Sequence, residues 1–590
     1  MSRSILNNIW RAPRCRVYYH TRYSTPPFLQ SHGVQKAYQS SAAGHTVSST
    51  SLGPNNKLLA TVFAAISLPL TFYLMYKPSV KPPVTESRNK TVAPKHNDEE
   101  HTRSIAPLDH QPRPKWDLTP ANVAAAKKEL IFLLGQENVS DDPATRVAHS
   151  ETEWSESPNG GAIDRPSLIV YPHSTEDVSA IARICHRRHI PMIGFSGGTS
   201  LEGALAAVNH EICVDFCRMD TIIAVHEEDM DAVVQPGLSH NVLNAALEDK
   251  GLFFPPDPGP GACIGGMVAQ GCSGTNAFRY GPMRDWVLGL TVVLADGTVI
   301  RTRARPRKSS AGYDLTRLFV GSEGTLGFVT EARIKLAARP TNLRVAVAGF
   351  PSLSEAVATT IQLVREGHQL EAMELLDTFT MRAVNRGGYT KRQWPEKPTL
   401  FLKFAGTTTG AVEEQITTAQ RIAGEHGCDG FTCSTNEEEV DELWAARKTA
   451  LWSLLALKHR PEDKFLSADS CVPVSRLGDI IAATTENIEA SGLLGSCLGH
   501  VGDGNFHATV LFSEEEREKA RAVIIATQKI GIKLDGTVSG EHGIGLTNRD
   551  ALTWELGEDS IAAMRQIKNA LDPLWLMNPG KVFRLWEGQE

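Results

Sequence analysis

The sequence predicts an α+β protein in which two globular domains follow a basic and then apolar amino-terminal region. The chain has 590 residues, which is more than a single hydrophobic core normally organises. From about residue 168 onwards, short β-type runs alternate with amphipathic helical segments. Glycine-bracketed stretches recur at 195–203, 499–507 and 540–543. Because glycine lets a backbone approach a ligand closely, these three stretches are the candidate functional segments.

The composition limits the possible partners. Hydrophobic residues make up 41% and charged residues 22% of the chain, which is ordinary for a folded soluble body. A formal net charge of −7 argues against a general nucleic-acid binder, so no nucleic acid is expected as a partner. The ten cysteines include no Cys-x-x-Cys pair and no zinc-finger spacing, so we expect buried thiols rather than a disulfide framework.

The amino-terminal region predicts a mitochondrial membrane protein. Residues 1–57 contain arginine and serine but no acidic residue, which is typical of a transit peptide; the alternative is a disordered basic tail. Residues 58–76 carry no charge and are long enough to span a bilayer, for which about 20 apolar residues suffice; the alternative is a buried core helix. Residues 77–115, rich in Pro, Lys and Glu, are expected to form a flexible stalk. We therefore expect one helix in inner-membrane lipid and a globular body that faces the intermembrane space.

The first globular domain, predicted over 116–340, opens with a βαβ unit. Residues 168–171 form a β-type run, a helix with one apolar face follows, and residues 190–195 form the next strand. The glycine-rich loop after this strand can cradle a pyrophosphate with its backbone amides, although a plain tight turn is the alternative. No Gly-x-Gly-x-x-Gly opens a helix after the first strand, which argues against NAD.

Further proline- and glycine-rich stretches at 255–276 and 321–330 complete a pattern with this loop. In this order, the stretches resemble the FAD-binding domain of the vanillyl-alcohol-oxidase type between about residues 162 and 340. The resemblance implies a two-subdomain, PCMH-type fold that binds FAD. Thr199 stands where many relatives with covalent flavin carry a histidine, so it implies non-covalent FAD. The resemblance assigns cofactor contacts to Ser196, Gly197, Gly198, Thr199, Ser200, Pro255, Asp257, Gly265, Gly271, Ser273, Gly274, Asn276, Glu323, Gly324 and Val329.

The second domain, predicted over 341–590, alternates strands and helices. The expected strands are 343–350, 371–376 and 399–404, and the expected helices are 354–364 and one that ends near residue 426. This pattern predicts an α+β domain built on an antiparallel sheet.

A histidine pair in this domain predicts a metal site. Asp503-Gly504 is a favoured two-residue hairpin turn, and in that register His500 lies opposite His507. Directly opposed residues have Cβ atoms about 4.5–5.5 Å apart, so two imidazoles there can share one ion. Glu541, in another glycine-bracketed turn, can complete the set. The alternative is an ordinary cross-strand histidine pair.

Two further side chains have the chemistry for a substrate site. Glu541 and His542 are adjacent and are expected to point different ways, so one can bind a metal while the other faces a substrate. His542 has a side chain whose pKa is in reach of physiological pH; it is a candidate general base or, alternatively, a structural histidine. Arg447 lies on a predicted helix and can grip a carboxylate bidentately, although most helical arginines are solvated surface charges.

A second resemblance covers these residues. The domain is similar to the FAD-linked oxidase carboxyl-terminal domain of D-2-hydroxyacid dehydrogenases, and the combined match extends over about residues 115–583. The resemblance implies that His500, His507 and Glu541 bind a divalent metal, Zn or Mn. It also implies that Arg447 binds the substrate carboxylate, that His542 is the base and that Asn578 lies near the flavin.

The resemblance implies oxidation of a D-2-hydroxyacid. Members that act on D-2-hydroxyglutarate carry a lysine where Ser467 stands here, so a single-carboxylate substrate such as D-lactate is favoured. The implied reaction is FAD-dependent oxidation of D-lactate to pyruvate, with electrons passing to cytochrome c. The alternatives are a dehydrogenase of D-2-hydroxyglutarate or another D-2-hydroxyacid, an alkyl-dihydroxyacetone-phosphate synthase-type transferase, and a membrane-tethered flavin-binding scaffold.

Overall fold

The computed structural model describes residues 114–152, 155, 157–159 and 163–585, which fall within one compact unit, Arg103–Glu590. The predicted transit peptide (1–57), the predicted anchor (58–76) and the predicted stalk as far as residue 113 lie outside the described residues. Within the described ranges, no helix is both long and apolar enough to cross a membrane.

The described chain begins with a small mixed sheet that contains the predicted βαβ unit. Its elements are α1 (Pro120–Leu134), β1 (Val139–Ser140), α2 (Pro143–Ala148), β2 (Leu168–Val170), α3 (Thr175–Arg188), β3 (Met192–Phe195) and β4 (Ile212–Asp215). The strand order is β1-β2-β4-β3, so β2 and β3 are both parallel to β4, which lies between them. Ser174 caps α3 by accepting a hydrogen bond from Asp177 N, and the predicted apolar face of this helix is buried.

The chain then forms a five-stranded antiparallel sheet with short helices around it. The elements are β5 (Ile222–His226), β6 (Asp231–Val234), α4 (His240–Leu247), β7 (Leu252–Phe253), α5 (Ile264–Gln270), α6 (Ala277–Tyr280), β8 (Val287–Val293), β9 (Val299–Arg301), α7 (Leu315–Phe319), β10 (Phe328–Lys335) and β11 (Ala337–Ala338). The strand order is β5-β6-β10-β8-β9, and β7 pairs separately with β11. Met267 and Val268 of α5 share one hydrophobic core with Leu290 and Val292 of β8. This core fixes the glycine-rich start of α5 against the sheet.

The second half of the chain is built on a seven-stranded sheet. The elements are β12 (Arg344–Gly349), α8 (Leu353–Arg365), β13 (Ala372–Leu376), α9 (Thr378–Gly387), β14 (Thr399–Phe404), α10 (Thr409–Glu425), β15 (Gly430–Cys433), α11 (Glu437–Lys448), α12 (Ala450–Leu455), β16 (Lys464–Cys471), α13 (Leu477–Ser491), β17 (Leu494–Gly499), β18 (Asn505–Phe512), α14 (Arg517–Lys533), α15 (Arg549–Leu556) and α16 (Glu558–Leu571). The strand order is β15-β12-β14-β13-β17-β18-β16, and every pair is antiparallel. The predicted α+β pattern with an antiparallel sheet is therefore confirmed.

The hairpin that carries two of the histidines differs from the prediction. β17 and β18 pair Leu498 with His507, so the chain reverses through 500–504 rather than through a two-residue Asp-Gly turn. His500 lies in that loop, where its carbonyl accepts a hydrogen bond from Asp503 N at 3.3 Å. The predicted register is wrong because it relied on the turn residues alone. Strand β18, which lies next to the edge of the sheet, is buried along its length and pairs on its other side with β16, and these two partners together set its register.

After α16 the chain returns to the first sheet. Met192 in β3 forms a parallel bridge with Met577, and the flanking backbone hydrogen bonds, to Leu576 O and from Asn578 N, are both 2.7 Å long. Leu576 and Met577 are fully buried in the core of that sheet. This return places Asn578 beside the start of β3.

Candidate active site

Three histidines and a glutamate converge between the seven-stranded sheet and the loop that follows α14. His507 extends from β18, His500 from the loop before it, and Glu541 and His542 from the loop 539–543. The Oε1 atom of Glu541 lies 3.1 Å from His500 Nε2 and 3.3 Å from His507 Nε2. The structure therefore brings His500, His507 and Glu541 together, although through a register other than the predicted one.

This cluster is buried and strongly charged. His500 and His507 are 4% and 9% exposed. Burial alone would lower the pKa of His500, but the carboxylates of Glu374 and Glu541 raise it well above its ordinary value. Burial alone would raise the pKa of Glu541, yet the two imidazoles hold it well below its ordinary range. The cluster is thus a carboxylate flanked by two imidazoles, a donor set that suits a divalent cation.

Among the described residues, two groups of three ligand atoms have the spacing for a metal ion, with all atoms of a group within 4.8 Å of one another. One is the predicted group of His500, His507 and Glu541, and the other combines His507 with Asp469 and His542. The carboxylate of Asp469 already accepts four hydrogen bonds from protein donors. The Oε1 atom of Glu541 faces the two imidazoles instead. The donor arrangement therefore favours the predicted group.

Asp469, near the carboxyl end of β16, holds the loop that carries Glu541 and His542. Its Oδ2 atom accepts hydrogen bonds from Glu541 N at 2.7 Å, from His542 N at 2.8 Å and from Ser539 Oγ at 3.0 Å. Its Oδ1 atom accepts one from Asn505 Nδ2 at 2.8 Å. A carboxylate that is 1% exposed requires such donors, and here they also fix the loop.

His542 packs against His507, a member of the predicted metal group. Its ring stacks on His507 with centroids 4.8 Å apart and planes at 7°, and its Nδ1 atom is 3.7 Å from Glu202 Oε1. Both side chains contact His507, but Glu541 also contacts His500 whereas His542 approaches Glu202, in line with the expectation that they point different ways. Burial alone would lower the pKa of His542, but the carboxylates of Asp469 and Glu202 raise it to about 9. The imidazole is placed to exchange a proton, at a pKa above the physiological range.

Arg447, near the end of α11, is tied to the same cluster through Glu374. Its Nε atom donates to Glu374 Oε2 at 2.6 Å, and His500 Nδ1 donates to Glu374 Oε1 at 2.7 Å. Across the described part of the chain, no residue accepts a hydrogen bond from the terminal Nη groups of Arg447, whose side chain is 14% exposed. The outer edge of the guanidinium is therefore available to an anion.

The loop 196–200 has the form of a phosphate cradle. A Cβ atom on Gly197 would lie 2.5 Å from Gly261 O, so only glycine fits there without a shift of backbone. The buried Ser200 Oγ and Gln270 Oε1 atoms have no hydrogen-bond partner among the described residues. Buried polar atoms without partners, next to a glycine-lined backbone, fit a phosphate-bearing cofactor.

Hydrogen bonds within 255–276 shape the second predicted cofactor stretch. Asn276 donates from its backbone N to Asp257 Oδ1 at 2.8 Å and from Nδ2 to Pro255 O at 2.9 Å. Gly274 has φ +121°, and a Cβ atom there would lie 2.5 Å from Asp257 O. The other predicted cofactor residues lie in the loop after β3, on or at the end of α5, and on the turn before β10 or on β10 itself: Ser196, Gly198, Thr199, Gly265, Gly271, Gly324 and Val329.

Two contacts join these stretches to the histidine-bearing loop. Ser273 Oγ donates to Glu541 Oε2 at 2.6 Å. Glu323 accepts hydrogen bonds from two backbone amides just beyond that loop, at 2.6 and 2.8 Å, and burial raises the pKa of its carboxyl to about 7. Asn578 Nδ2 in turn donates to Glu323 O at 2.6 Å. The stretches 255–276 and 321–330 therefore contact the segment that carries Glu541 and His542.

Three carboxylates of this site, Glu374, Asp469 and Glu202, were not predicted from the sequence. They are 0%, 1% and 6% exposed. Glu374 lies in the predicted strand 371–376 and Asp469 lies in β16, which was not predicted; an acidic side chain in a buried strand signals that a partner is needed. Glu202 lies in a loop, and no local pattern marks it.

Two family models match successive parts of this chain. The family model "FAD binding domain" matches residues 166–303, and the model "FAD linked oxidases, C-terminal domain" matches residues 339–582. A structure of p-cresol methylhydroxylase with substrate bound superposes with a TM-score of 0.66 at 17% identity, covering 79% of this chain and 98% of that one. The predicted PCMH-type fold is therefore confirmed.

Two fungal proteins are similar over most of their length. One is "D-lactate dehydrogenase [cytochrome], mitochondrial" of Kluyveromyces lactis, 46% identical over 444 residues, which cover 74% of this chain and 77% of the relative. The other is "D-lactate dehydrogenase [cytochrome] 1, mitochondrial" of Saccharomyces cerevisiae, 41% identical over 492 residues, which cover 82% of this chain and 83% of the relative. The chain therefore belongs to the FAD-linked oxidase family that includes these two proteins.

Proposed function

We propose that this protein oxidises D-lactate to pyruvate with FAD and passes the electrons to cytochrome c. The observation that carries the proposal is the meeting of Arg447, His542 and the group of His500, His507 and Glu541 beside the FAD-binding segments. A carboxylate clamp, a proton carrier and a cation site are the groups that oxidation of a 2-hydroxyacid needs around a flavin. The names of the two fungal relatives support the choice of substrate and acceptor.

We assign FAD binding to a domain of residues 116–340 and substrate binding to a domain of residues 341–590. FAD is bound non-covalently by the loop 196–200, by 255–276 and by 321–330, with Asn578 nearby. When bound, it supplies the acceptor for the hydrogen and the two electrons that leave the substrate. The unpartnered hydroxyl of Ser200 and the glycine-lined backbone support this assignment.

We also assign a divalent metal, Zn or Mn, to His500, His507 and Glu541. Two imidazoles and one carboxylate are a ligand set of catalytic zinc sites, which keep a position open for water or substrate. The spacing of the three ligand atoms, all within 4.8 Å of one another, supports the assignment. A bound cation supplies positive charge that lowers the pKa of a hydroxyl group beside it.

In the proposed site Arg447 binds the substrate carboxylate and His542 takes the proton of the 2-hydroxyl group. Arg447 can use both Nη groups because only its Nε atom is engaged, by Glu374. His542 must be neutral to accept a proton, and its pKa of about 9 falls when positive charge binds next to it. Burial of the imidazoles excludes bulk water from the proton transfer.

A substrate with one carboxylate is favoured over D-2-hydroxyglutarate. Ser467 stands where enzymes acting on that dicarboxylate carry a lysine. Lys464, three residues earlier on β16, pairs with Glu514 at 3.4 Å. Because side chains alternate along a strand, Lys464 and Ser467 lie on opposite faces, so Lys464 does not replace the missing lysine.

Turnover and metal content test these assignments together. We expect the full-length protein to reduce cytochrome c faster with D-lactate than with L-lactate or D-2-hydroxyglutarate, and to lose this activity when a chelator removes a stoichiometric Zn or Mn. Faster reduction with D-2-hydroxyglutarate would move the assignment to that substrate. Protein that contains no stoichiometric metal and keeps full activity after chelation would contradict the metal assignment.

We further propose that the protein lies in the mitochondrial inner membrane, with residues 1–57 as transit peptide, 58–76 as a single anchor in lipid, and the body in the intermembrane space. The relatives named as mitochondrial support the organelle, and the composition of these segments supports the anchor. Protease is expected to digest the body in mitoplasts but not in intact mitochondria. Protection in both would contradict the topology.

A further inference from the structure

We infer that Glu374 is a positioning residue that couples the carboxylate clamp to the metal ligands and so sets the spacing that selects 2-hydroxyacids. The inference rests on the proposed function, because it concerns how Arg447 and His500 are held in that site. It adds a role for a side chain in β13 that touches both of them.

Glu374 is buried completely, and both of its carboxylate oxygens are engaged in the site. Oε1 accepts from His500 Nδ1 at 2.7 Å, and Oε2 accepts from Arg447 Nε at 2.6 Å. The three residues come from three separate elements: β13, α11 and the loop between β17 and β18. One rigid carboxylate therefore connects the helix that carries the clamp with the loop that carries the first histidine.

The hydrogen bond to His500 fixes which ring nitrogen can bind a metal. Because an ionised carboxylate only accepts hydrogen bonds, the proton of the neutral imidazole stays on Nδ1. The lone pair is then on Nε2, the atom that faces Glu541 at 3.1 Å. Loss of such a supporting hydrogen bond typically weakens metal binding by about 10- to 100-fold.

The hydrogen bond to Arg447 fixes the orientation of the guanidinium. With Nε directed at Glu374, the two Nη groups form the edge that faces away from it, and a carboxylate can bind there with two parallel hydrogen bonds. In a 2-hydroxyacid the carboxylate carbon is bonded directly to the carbon that bears the hydroxyl group. A site for this class needs a short and fixed distance between clamp and metal, and the two oxygens of a single carboxylate provide that fixed link.

Glu374→Gln tests the inference, because glutamine keeps the shape but can accept at only one of the two positions. Its amide NH2 group would face either Arg447 Nε or His500 Nδ1, so one contact is lost or the imidazole proton moves to Nε2. In full-length, FAD-loaded protein stripped of metal with a chelator, E374Q is expected to bind Zn²⁺ about 10- to 100-fold more weakly by calorimetric titration. After saturation with Zn²⁺, the KM for D-lactate is expected to rise by about tenfold or more, with a smaller change in kcat.

Glu371→Gln is the matched control. Glu371 precedes the same strand, is 6% exposed and accepts a hydrogen bond from Tyr280 Oη at 2.7 Å, but it has no contact with Arg447 or His500. It is expected to leave the Kd for Zn²⁺ and the KM within about twofold of wild type. Wild-type values of both constants in E374Q would overturn the inference.

The two readouts separate this inference from the proposed function. If wild type turns over D-lactate but binds no stoichiometric Zn²⁺, the metal assignment fails and the KM of E374Q decides the role of Glu374. If wild type binds Zn²⁺ but does not oxidise D-lactate, the substrate assignment fails, and the Zn²⁺ titration of E374Q then decides the role of Glu374. Should E374Q not fold, Glu374→Asp keeps the charge but is one methylene too short to reach both partners. Unchanged Zn²⁺ affinity and KM in that variant would also overturn the inference.

Discussion

Asp469→Asn tests whether one carboxylate holds the loop that carries Glu541 and His542. Three donors, Ser539 Oγ and the two backbone amides of Glu541 and His542, bind its Oδ2 atom at 2.7 to 3.0 Å. Asparagine keeps the shape but removes the charge, and a hydrogen bond to a charged group is worth about 1 kcal/mol more than one to a neutral group. The three bonds correspond to about 3 kcal/mol of unfolding free energy. The two hydrogen bonds from the backbone amides contribute about 2 kcal/mol to holding the loop in place. If that amount is lost from transition-state binding, kcat/KM falls about 30-fold.

Asp377→Asn provides a control with a similar stability cost. Asp377 is 6% exposed and accepts hydrogen bonds from Thr380 N, Thr380 Oγ1 and Cys497 N at 2.6 to 2.7 Å, away from the histidine cluster. Urea unfolding should show a loss of about 3 kcal/mol in both variants. Cytochrome c reduction per bound FAD should fall about 30-fold in D469N alone. If the two variants had the same kcat/KM, the reasoning about the loop would be refuted.

D469N should also change the pH dependence of kcat/KM. The Asp469 carboxylate is the strongest of the groups that raise the pKa of His542, which is about 9. Without that charge the pKa of His542 falls, so its neutral form is reached at lower pH. The rise of kcat/KM with pH should therefore move to lower pH in D469N, and a limb that stays in place would contradict the role of His542 as the base.

Three further predictions concern the base, the cofactor cradle and the pH dependence of stability. His542→Ala should keep FAD, seen as unchanged flavin absorbance per protein, but should not show flavin reduction by D-lactate; near-normal reduction would contradict its role. Gly197→Ala places a Cβ atom 2.5 Å from Gly261 O and should weaken FAD binding by about tenfold or more in fluorescence titration, whereas Gly410→Ala on α10, where a Cβ atom would meet nothing within 4 Å, should not. Burial raises the pKa of Glu323 to about 7, so the folded state holds this proton more tightly than the unfolded state. The protonated carboxyl therefore stabilises the fold fully below about pH 4.5, and this stabilisation is lost as pH rises through about 7, a difference of about 3 kcal/mol in the free energy of unfolding. Glu323→Gln should remove this pH dependence from urea unfolding curves. An equal pH dependence in wild type and variant would contradict the prediction.

Much of the fold follows from local sequence pattern. The apolar run 399–404 is read as a strand, and β14 occupies those residues. The helix predicted over 354–364 is α8, one residue longer at each end. The convergence of His500, His507 and Glu541 was also predictable, because two glycine-bracketed segments with metal-binding side chains point to one site.

The rest depends on contacts between residues that are distant in sequence. The pairing of Leu498 with His507 is set by both neighbours of β18, which the Asp-Gly pair does not encode. The bond from Arg447 to Glu374 spans 73 residues, and the bond from Ser273 to Glu541 spans 268. No local pattern selects such partners, since they result from the packing of whole elements. An acidic residue inside a buried strand signals that a partner exists, but it does not identify that partner.

The most direct test of the central claim is an anaerobic visible spectrum of the full-length protein with its FAD. D-Lactate, L-lactate and D-2-hydroxyglutarate are added in separate cuvettes, and the loss of flavin absorbance is followed in each. We predict rapid bleaching by D-lactate and little or none by the other two. The preference for the D enantiomer rests on the similarity to the two fungal relatives, and the preference for a single carboxylate rests on Ser467, which stands where enzymes acting on D-2-hydroxyglutarate carry a lysine. A bound flavin that D-lactate leaves oxidised would contradict the central claim.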